Sequence, residues 1–174
     1  MRELRSINFS YVVGEDRILA IVNPGDPEAW SCWLTRRLVL ALFEHTESFL
    51  ASTSSLVKQA PTSARCDLIA FEREAAMAIT AKAMSKTPDN VIKAGASLAE
   101  LAELLTISSQ ANKIRVELRG KRGGTAAGLL TRAELQRILG MLQVQVARAG
   151  WLSAPAKPLT VPATEEKGPK PFRH

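Results

Sequence analysis

Ile114-Arg-Val-Glu-Leu118, Arg119-Gly-Lys-Arg-Gly-Gly124, Ala126-Ala-Gly-Leu-Leu130 and Thr131-Arg132 follow one another without a gap long enough for another element. The first and third stretches are aliphatic and short enough to be strands. Between them, three glycines in six residues favour a tight reversal. After them Leu135, Ile138, Leu139, Leu142 and Val146 recur at the spacing of one helical face. Thr131 with Glu134 three positions on forms a capping box, and Gly150 offers a C-terminal stop. The segment therefore predicts a β-hairpin feeding directly into a helix.

The same order occurs 96 residues earlier. Ile18-Leu-Ala-Ile-Val22 precedes the turn residues Asn23-Pro-Gly-Asp-Pro27, then Trp30-Ser-Cys-Trp-Leu34, and both units run into Leu-Thr-Arg, at Leu34 and at Leu130. Leu38, Val39, Leu42, Phe43, Phe49 and Leu50 supply the helical face, with Thr35 as cap but Leu38 where a capping box needs Glu. Upstream, Asn8 to Val13 aligns with Leu104 to Ser109, a further strand in each unit. In the second unit Ser97-Leu-Ala-Glu100 also reads as a capped helix start, so a short helix giving way to strand near Thr106 stays open.

These readings define an α+β fold with one domain over residues 1–152. It comprises two related β-hairpin–helix units at 5–52 and 102–152, a mainly antiparallel sheet with packed helices, and a connecting helix at 66–86. The connecting helix is rich in Ala, Glu, Met and Lys and stops before Pro88. Ala51 to Arg65, Ser/Thr-rich with Pro61, reads as a frayed helix end and a loop. Residues 153–174 hold five of the nine prolines, with Lys157, Lys167, Lys170 and Arg173, and read as a disordered basic tail.

With 46% hydrophobic and 23% charged residues the 174-residue chain has a globular composition. Its longest apolar run, Leu38 to Phe43, is far below the ~20 residues of a membrane span. The first twenty residues lack the charge and apolar pattern of a signal peptide, so a cytoplasmic location and no membrane contact are expected. Cys32 and Cys66 lie too far apart for a C-x-x-C motif and read as buried thiols. With two cysteines and two histidines in all, no metal site is expected.

Charge is unevenly distributed. The net values are −1 over residues 1–60, 0 over 61–100 and +7 over 101–174. Lys113, Arg115, Arg119, Lys121, Arg122, Arg132, Arg137, Arg148 and the tail account for the excess. Such a third either meets an anionic partner or keeps a sheet edge soluble.

No pattern for nucleotide binding, serine hydrolysis or zinc proteolysis occurs in the chain. Gly120 to Gly124 joins two strands rather than opening a helix, so it is expected to be a basic turn without an anion cradle. His45 falls at the margin of the helix face and reads as a partly buried residue bonded to backbone. Cys32 would sit some ~20 Å from it along the helix, too far for a nucleophile pair. Arg36 and Arg37, and Arg132 in the second unit, occupy first turns where the helix dipole disfavours cations. They either flank a bound anion or pair with Asp26 or Glu28. Trp30 and Trp33 lie on opposite strand faces, so one is a contact candidate unless helices cover both faces of the sheet.

The function expected is non-catalytic: a cytoplasmic binding or assembly protein that docks on a protein partner or on its own copies. Trp33, Arg36, Arg37, Arg119, Lys121, Arg122 and Phe172 are the candidate contacts, with no cofactor and no small-molecule substrate. The alternative is a nucleic-acid-binding accessory protein that contacts phosphates through the basic third.

Overall fold

A computed structural model describes residues 1–80 and 87–152 of the chain. The tail with Phe172, and residues 81–86 of the expected connecting helix, lie outside the described residues. The order is β1 (Arg2–Glu3), β2 (Ile7–Val12), β3 (Arg17–Val22), β4 (Trp30–Leu34), α1 (Arg36–Thr53), α2 (Ser55–Gln59), α3 (Thr62–Thr80), α4 (Asp89–Leu98), β5 (Glu100–Gln110), β6 (Lys113–Gly120), β7 (Thr125–Leu130) and α5 (Arg132–Arg148). The fold is α+β. Its seven strands form one mostly antiparallel sheet in the order β1-β7-β6-β5-β4-β3-β2, with β1/β7 and β4/β5 parallel.

Sequence neighbours β1 and β2 stand at opposite ends of that order, joined only by Leu4, Arg5 and Ser6. A flat sheet of seven strands would hold its edges ~29 Å apart at the usual strand spacing. Three linking residues reach only ~14 Å. The sheet must therefore curl until its edges nearly meet, and Asn23 fastens the closure. Its Oδ1 accepts from the amides of Arg5 and Ser6, both at 3.0 Å, and its Nδ2 donates to the Glu3 carbonyl at 2.7 Å. The Asn23 amide donates to the Ser6 carbonyl at 2.9 Å. Only 5% exposed, and left-handed at φ 49°, Asn23 satisfies four backbone groups that no strand could reach.

The two hairpins keep one register. Ile18 pairs with Leu34, Ala20 with Cys32 and Val22 with Trp30; Ile114 pairs with Leu130, Val116 with Gly128 and Leu118 with Ala126, each 96 positions on. The preceding strands differ. Ile7 opposite Val22 corresponds to Leu105 opposite Leu118, an offset of 98, because the β2–β3 connection has four residues, 13–16, and the β5–β6 connection two, Ala111 and Asn112.

Both unit helices start where capping chemistry puts them. Thr35 Oγ1 accepts from the Leu38 amide at 3.3 Å. Thr131 Oγ1 accepts from the Glu134 amide at 3.2 Å, while Glu134 Oε2 accepts from the Thr131 amide at 2.7 Å, so the predicted capping box forms. That backbone hydrogen bond is the main reason the Glu134 carboxyl titrates below the usual range.

Two apolar clusters cover opposite sheet faces. The larger joins Ile18, Ala20, Val22, Trp30, Cys32 and Leu34 with Val39 and Leu50 of α1 and Leu135, Leu139, Leu142 and Val146 of α5. The smaller holds Leu19, Ile21 and Trp33 beneath Val91, Ile92 and Ala96 of α4. Helix α4 was not foreseen. The Ser97–Glu100 stretch ends this helix and begins β5 rather than capping a new helix, so the second unit opens with strand. The expected loop at 51–65 is likewise mostly helical, forming the end of α1, the short α2 and the start of α3; Ser54 Oγ caps α2 through the Val57 amide at 3.2 Å. Local Ser and Pro residues marked helix starts here rather than a loop.

Candidate functional site

The 119–124 turn is held from within by a carboxylate. Gly120 donates to the Gly124 carbonyl at 2.8 Å, and the Lys121 amide donates to Leu101 of β5 at 2.9 Å. These bonds fold the turn around Glu100, which is only 7% exposed. Glu100 Oε1 accepts from the Trp30 indole at 2.8 Å and from the Gly124 amide at 3.1 Å, and Oε2 accepts from the Arg122 amide. The turn thus does form an amide cradle for an anion, contrary to the sequence expectation. The anion is the chain's own side chain. A Cβ on Gly120 or Gly124 would overlap the Glu100 carboxylate, and one on Gly124 would also strike the Trp30 ring, so both glycines are required by this close approach.

Arg119, Lys121 and Arg122 emerge exposed from that turn. Arg122 Nη2 donates to the Leu98 carbonyl at the end of α4, at 2.8 Å. Arg119 and Arg115 approach the two oxygens of Glu117 at 3.4 and 3.3 Å, so the acid between them offsets part of their charge. Ion pairs this exposed stabilise by ~1 kcal/mol or less, and both arginines can leave them for a partner.

Arg36 and Arg37 start α1 and are exposed. Neither pairs with Asp26 or Glu28; Asp26 pairs with Arg5 instead. Arg36 Nη2 donates to the Trp151 carbonyl at 3.1 Å. The Trp151 indole donates to Asp16 Oδ1 at 3.1 Å, and the Tyr11 hydroxyl donates to the same oxygen at 2.9 Å. Tyr11 and Trp151 meet edge to face, with ring centroids 6.0 Å apart. The two hydrogen bonds, Trp151 first, hold the Asp16 carboxyl below its ordinary value, with Arg36 adding to the effect. The bond to Asp16 in turn raises the Tyr11 hydroxyl. Arg132, the counterpart in α5, bonds Glu72 of α3 at 2.9 Å and Thr53 at 3.1 Å. Protein groups therefore occupy Arg36 and Arg132, where an anion was an open expectation.

Trp33, a candidate contact unless helices covered both sheet faces, is covered. It is 9% exposed beneath α4, as Trp30 is 9% exposed in the larger cluster, because helices cover both sheet faces. Among the candidate contacts, then, the structure gathers Arg119, Lys121 and Arg122 in one turn, places Arg36 and Arg37 on a separate element, and buries Trp33.

Other sequence readings also change. His45 is exposed, and so is Cys66, on the outer side of α3. Cys32 is buried, and desolvation, with the nearby Glu100 carboxylate second, pushes its thiol up to about 12. A thiol held so far above neutrality is no nucleophile. Between α3 and α5, Arg73 is 9% exposed and donates to Gln136 at 3.2 Å and Gln143 at 3.0 Å, with its guanidinium 5.9 Å from the Phe43 ring. Burial lowers its pKa. An open cleft of about 330 Å³ lies between β2 and α5, with Arg148 as the charged group in its lining.

Glu100, Asn23, Asp16 and Arg73 escaped the sequence reading. Glu100 alone had a readable signal: the glycines of 120–124 imply a close neighbour, though not which residue. Among the described residues no helix is long and apolar enough to cross a membrane, and no three His, Cys, Asp or Glu side chains gather to hold a metal ion. No family model, no curated protein and no solved structure matches the chain.

Proposed function

We propose that the chain is a non-catalytic assembly or adaptor protein of the cytoplasm, and that the 119–124 turn is its contact with an acidic protein surface. The observation that carries this reading is the Glu100 cradle. A buried side chain fixes the backbone of an exposed turn, and Lys121 and Arg119 project from that fixed backbone. Association then costs little ordering of the main chain, which is how a small basic patch gains affinity. We also read the two hairpin–helix units as related copies, an interpretation supported by their common hairpin register at an offset of 96.

The test compares the full chain with an Arg119→Gln, Lys121→Gln variant, which leaves Glu100 and its three donors untouched. Each is used to capture partners from native lysate with and without nuclease. A stoichiometric protein retained by the parent chain after nuclease, and lost by the variant, is the expected result. Capture of nucleic acid that the variant fails to retain would replace this reading with phosphate binding through the same basic turn.

A further inference from the structure

Strand β5 runs for eleven residues, but β4 pairs with only its first two, Glu100 and Leu101. From Ala102 onward it pairs with β6 alone. The β5–β6 turn has two residues, so Gln110 and Lys113 close it as a hydrogen-bonded pair, and Ser108, Thr106 and Leu104 also face β6. Leu105, Ile107 and Ser109 therefore direct their amides and carbonyls away from β6, and these groups have no hydrogen bond among the described residues.

The comparable edge of β2 is treated differently. Helix α5 lies alongside β2 as α1 lies alongside β5, but only α5 supplies an acceptor: Gln145 Oε1 accepts from the outward Tyr11 amide at 3.1 Å. Gln145 stands fourteen positions after the capping Thr131; fourteen after the capping Thr35, α1 carries Phe49, which has no acceptor to offer. An edge with unpaired backbone groups is normally blunted by lysine, proline or a charge pointing inward. From Leu104 to Asn112 there are nine successive uncharged residues and no proline, with Glu103 at one end and Lys113 at the other. Thr106, Ser108, Ser109 and Gln110 are exposed.

We propose that this edge pairs with the β5 edge of a second copy of the chain, antiparallel about a two-fold axis through Ile107, to make one sheet continuous across a dimer. With Ile107 opposite Ile107 and Leu105 opposite Ser109, every outward amide and carbonyl of the three residues finds a partner, in both copies at once. Charge selects the occupant. The antiparallel arrangement puts Glu103 of each copy opposite Ala111 of the other, in the hairpin tip whose next strand begins with Lys113, so opposite charges lie within side-chain reach at both ends of an uncharged seam. This surface is separate from the 119–124 turn and does not depend on what binds there.

Sedimentation equilibrium of the full chain, with amide hydrogen exchange over the same concentration range, tests the pairing. The expected result is a shift from 18.9 kDa to twice that mass. Protection at the Leu105, Ile107 and Ser109 amides should rise in step, while Thr106 and Ser108 are protected throughout. Ser109→Pro, which removes an outward donor in each copy and none of the β6 ladder, should weaken the dimer by about tenfold or more. Glu103→Lys or Lys113→Glu alone should weaken it and the double exchange should restore it, an outcome that needs no folded proline variant. A chain that stays at 18.9 kDa at every concentration overturns the proposal. So does a dimer in which those three amides exchange freely, or one that ignores the charge exchange.

Discussion

Replacing Glu100 by alanine removes the acceptor for three N–H groups at once. The Trp30 indole bond, 2.8 Å long, is wholly interior, and a hydrogen bond to a charged group in that setting contributes about 1.5–3 kcal/mol. The Arg122 and Gly124 amides are part-buried, and water can partly replace the carboxylate, so about 1 kcal/mol each is appropriate. The expected loss is thus about 3–5 kcal/mol, a large share of the ~5–15 kcal/mol that holds a typical domain. Glu100→Gln is the sharper control. Glutamine keeps the volume, but its NH₂ would face a site that presents only donors, so it should cost nearly as much as alanine and far more than a surface Glu→Gln change. Urea unfolding followed by far-ultraviolet circular dichroism gives both values, and the indole N–H resonance of Trp30 reports the cradle directly. A loss below about 1 kcal/mol for both variants would refute the argument that the buried carboxylate organises the turn.

Gly124→Ala should be comparably disruptive, by about 2–4 kcal/mol, since its Cβ meets Glu100 and Trp30 together; the same urea titration measures it. Thr131→Ala should cost about 1 kcal/mol through loss of the α5 cap, and Thr131→Ser should recover most of it. In the native chain a thiol reagent at mildly alkaline pH should modify Cys66 alone, and Cys32 only after denaturation; mass spectrometry of the labelled chain checks this. Asp16 is depressed in the folded state, so its contribution is present above the ordinary carboxylate value and is lost as pH falls through the lower folded value. Asp16→Asn should therefore flatten the acid limb of a stability–pH profile, an effect visible in the near-ultraviolet signal of Trp151.

Local signals that repeat along the chain were legible. Strands β2, β3, β4, β6 and β7 and the two capped helices follow from alternation, glycine-rich reversals and a 3.6-residue apolar period, each a property of neighbours in sequence. Contacts between distant residues were not. Helix α4 has an apolar face on Val91, Ile92 and Ala96, but its short span between Pro88 and a strand gave no cap to mark it, and Pro88 itself serves as the N-cap. Once α4 is missed, Trp33 reads as exposed. The Glu100 cradle joins residues 30, 100, 122 and 124, and the Asp16 site joins 11, 16, 36 and 151; neither has a spacing rule. The candidate turn was therefore singled out by its charges alone, while the reason for its shape was invisible.

The closure of the sheet also bears on how the chain reaches its native state. Arg2 pairs with Ala126 and Glu3 with Ala127, so the earliest of the seven strands to be synthesised is completed by the last of them. At ~5–20 residues per second the amino-terminal strand waits on the order of ten seconds for its partner. During that wait β3, β4 and α1 can assemble and Asn23 can already clasp residues 3–6, but the sheet stays open because β1 has no strand beside it. Pairings this distant in sequence slow folding because the loop entropy is lost before the contact is gained. Closure is thus the late step of biosynthesis, and the nascent chain passes through a stage with two unsealed strand edges in which a chaperone or a second nascent copy could intervene.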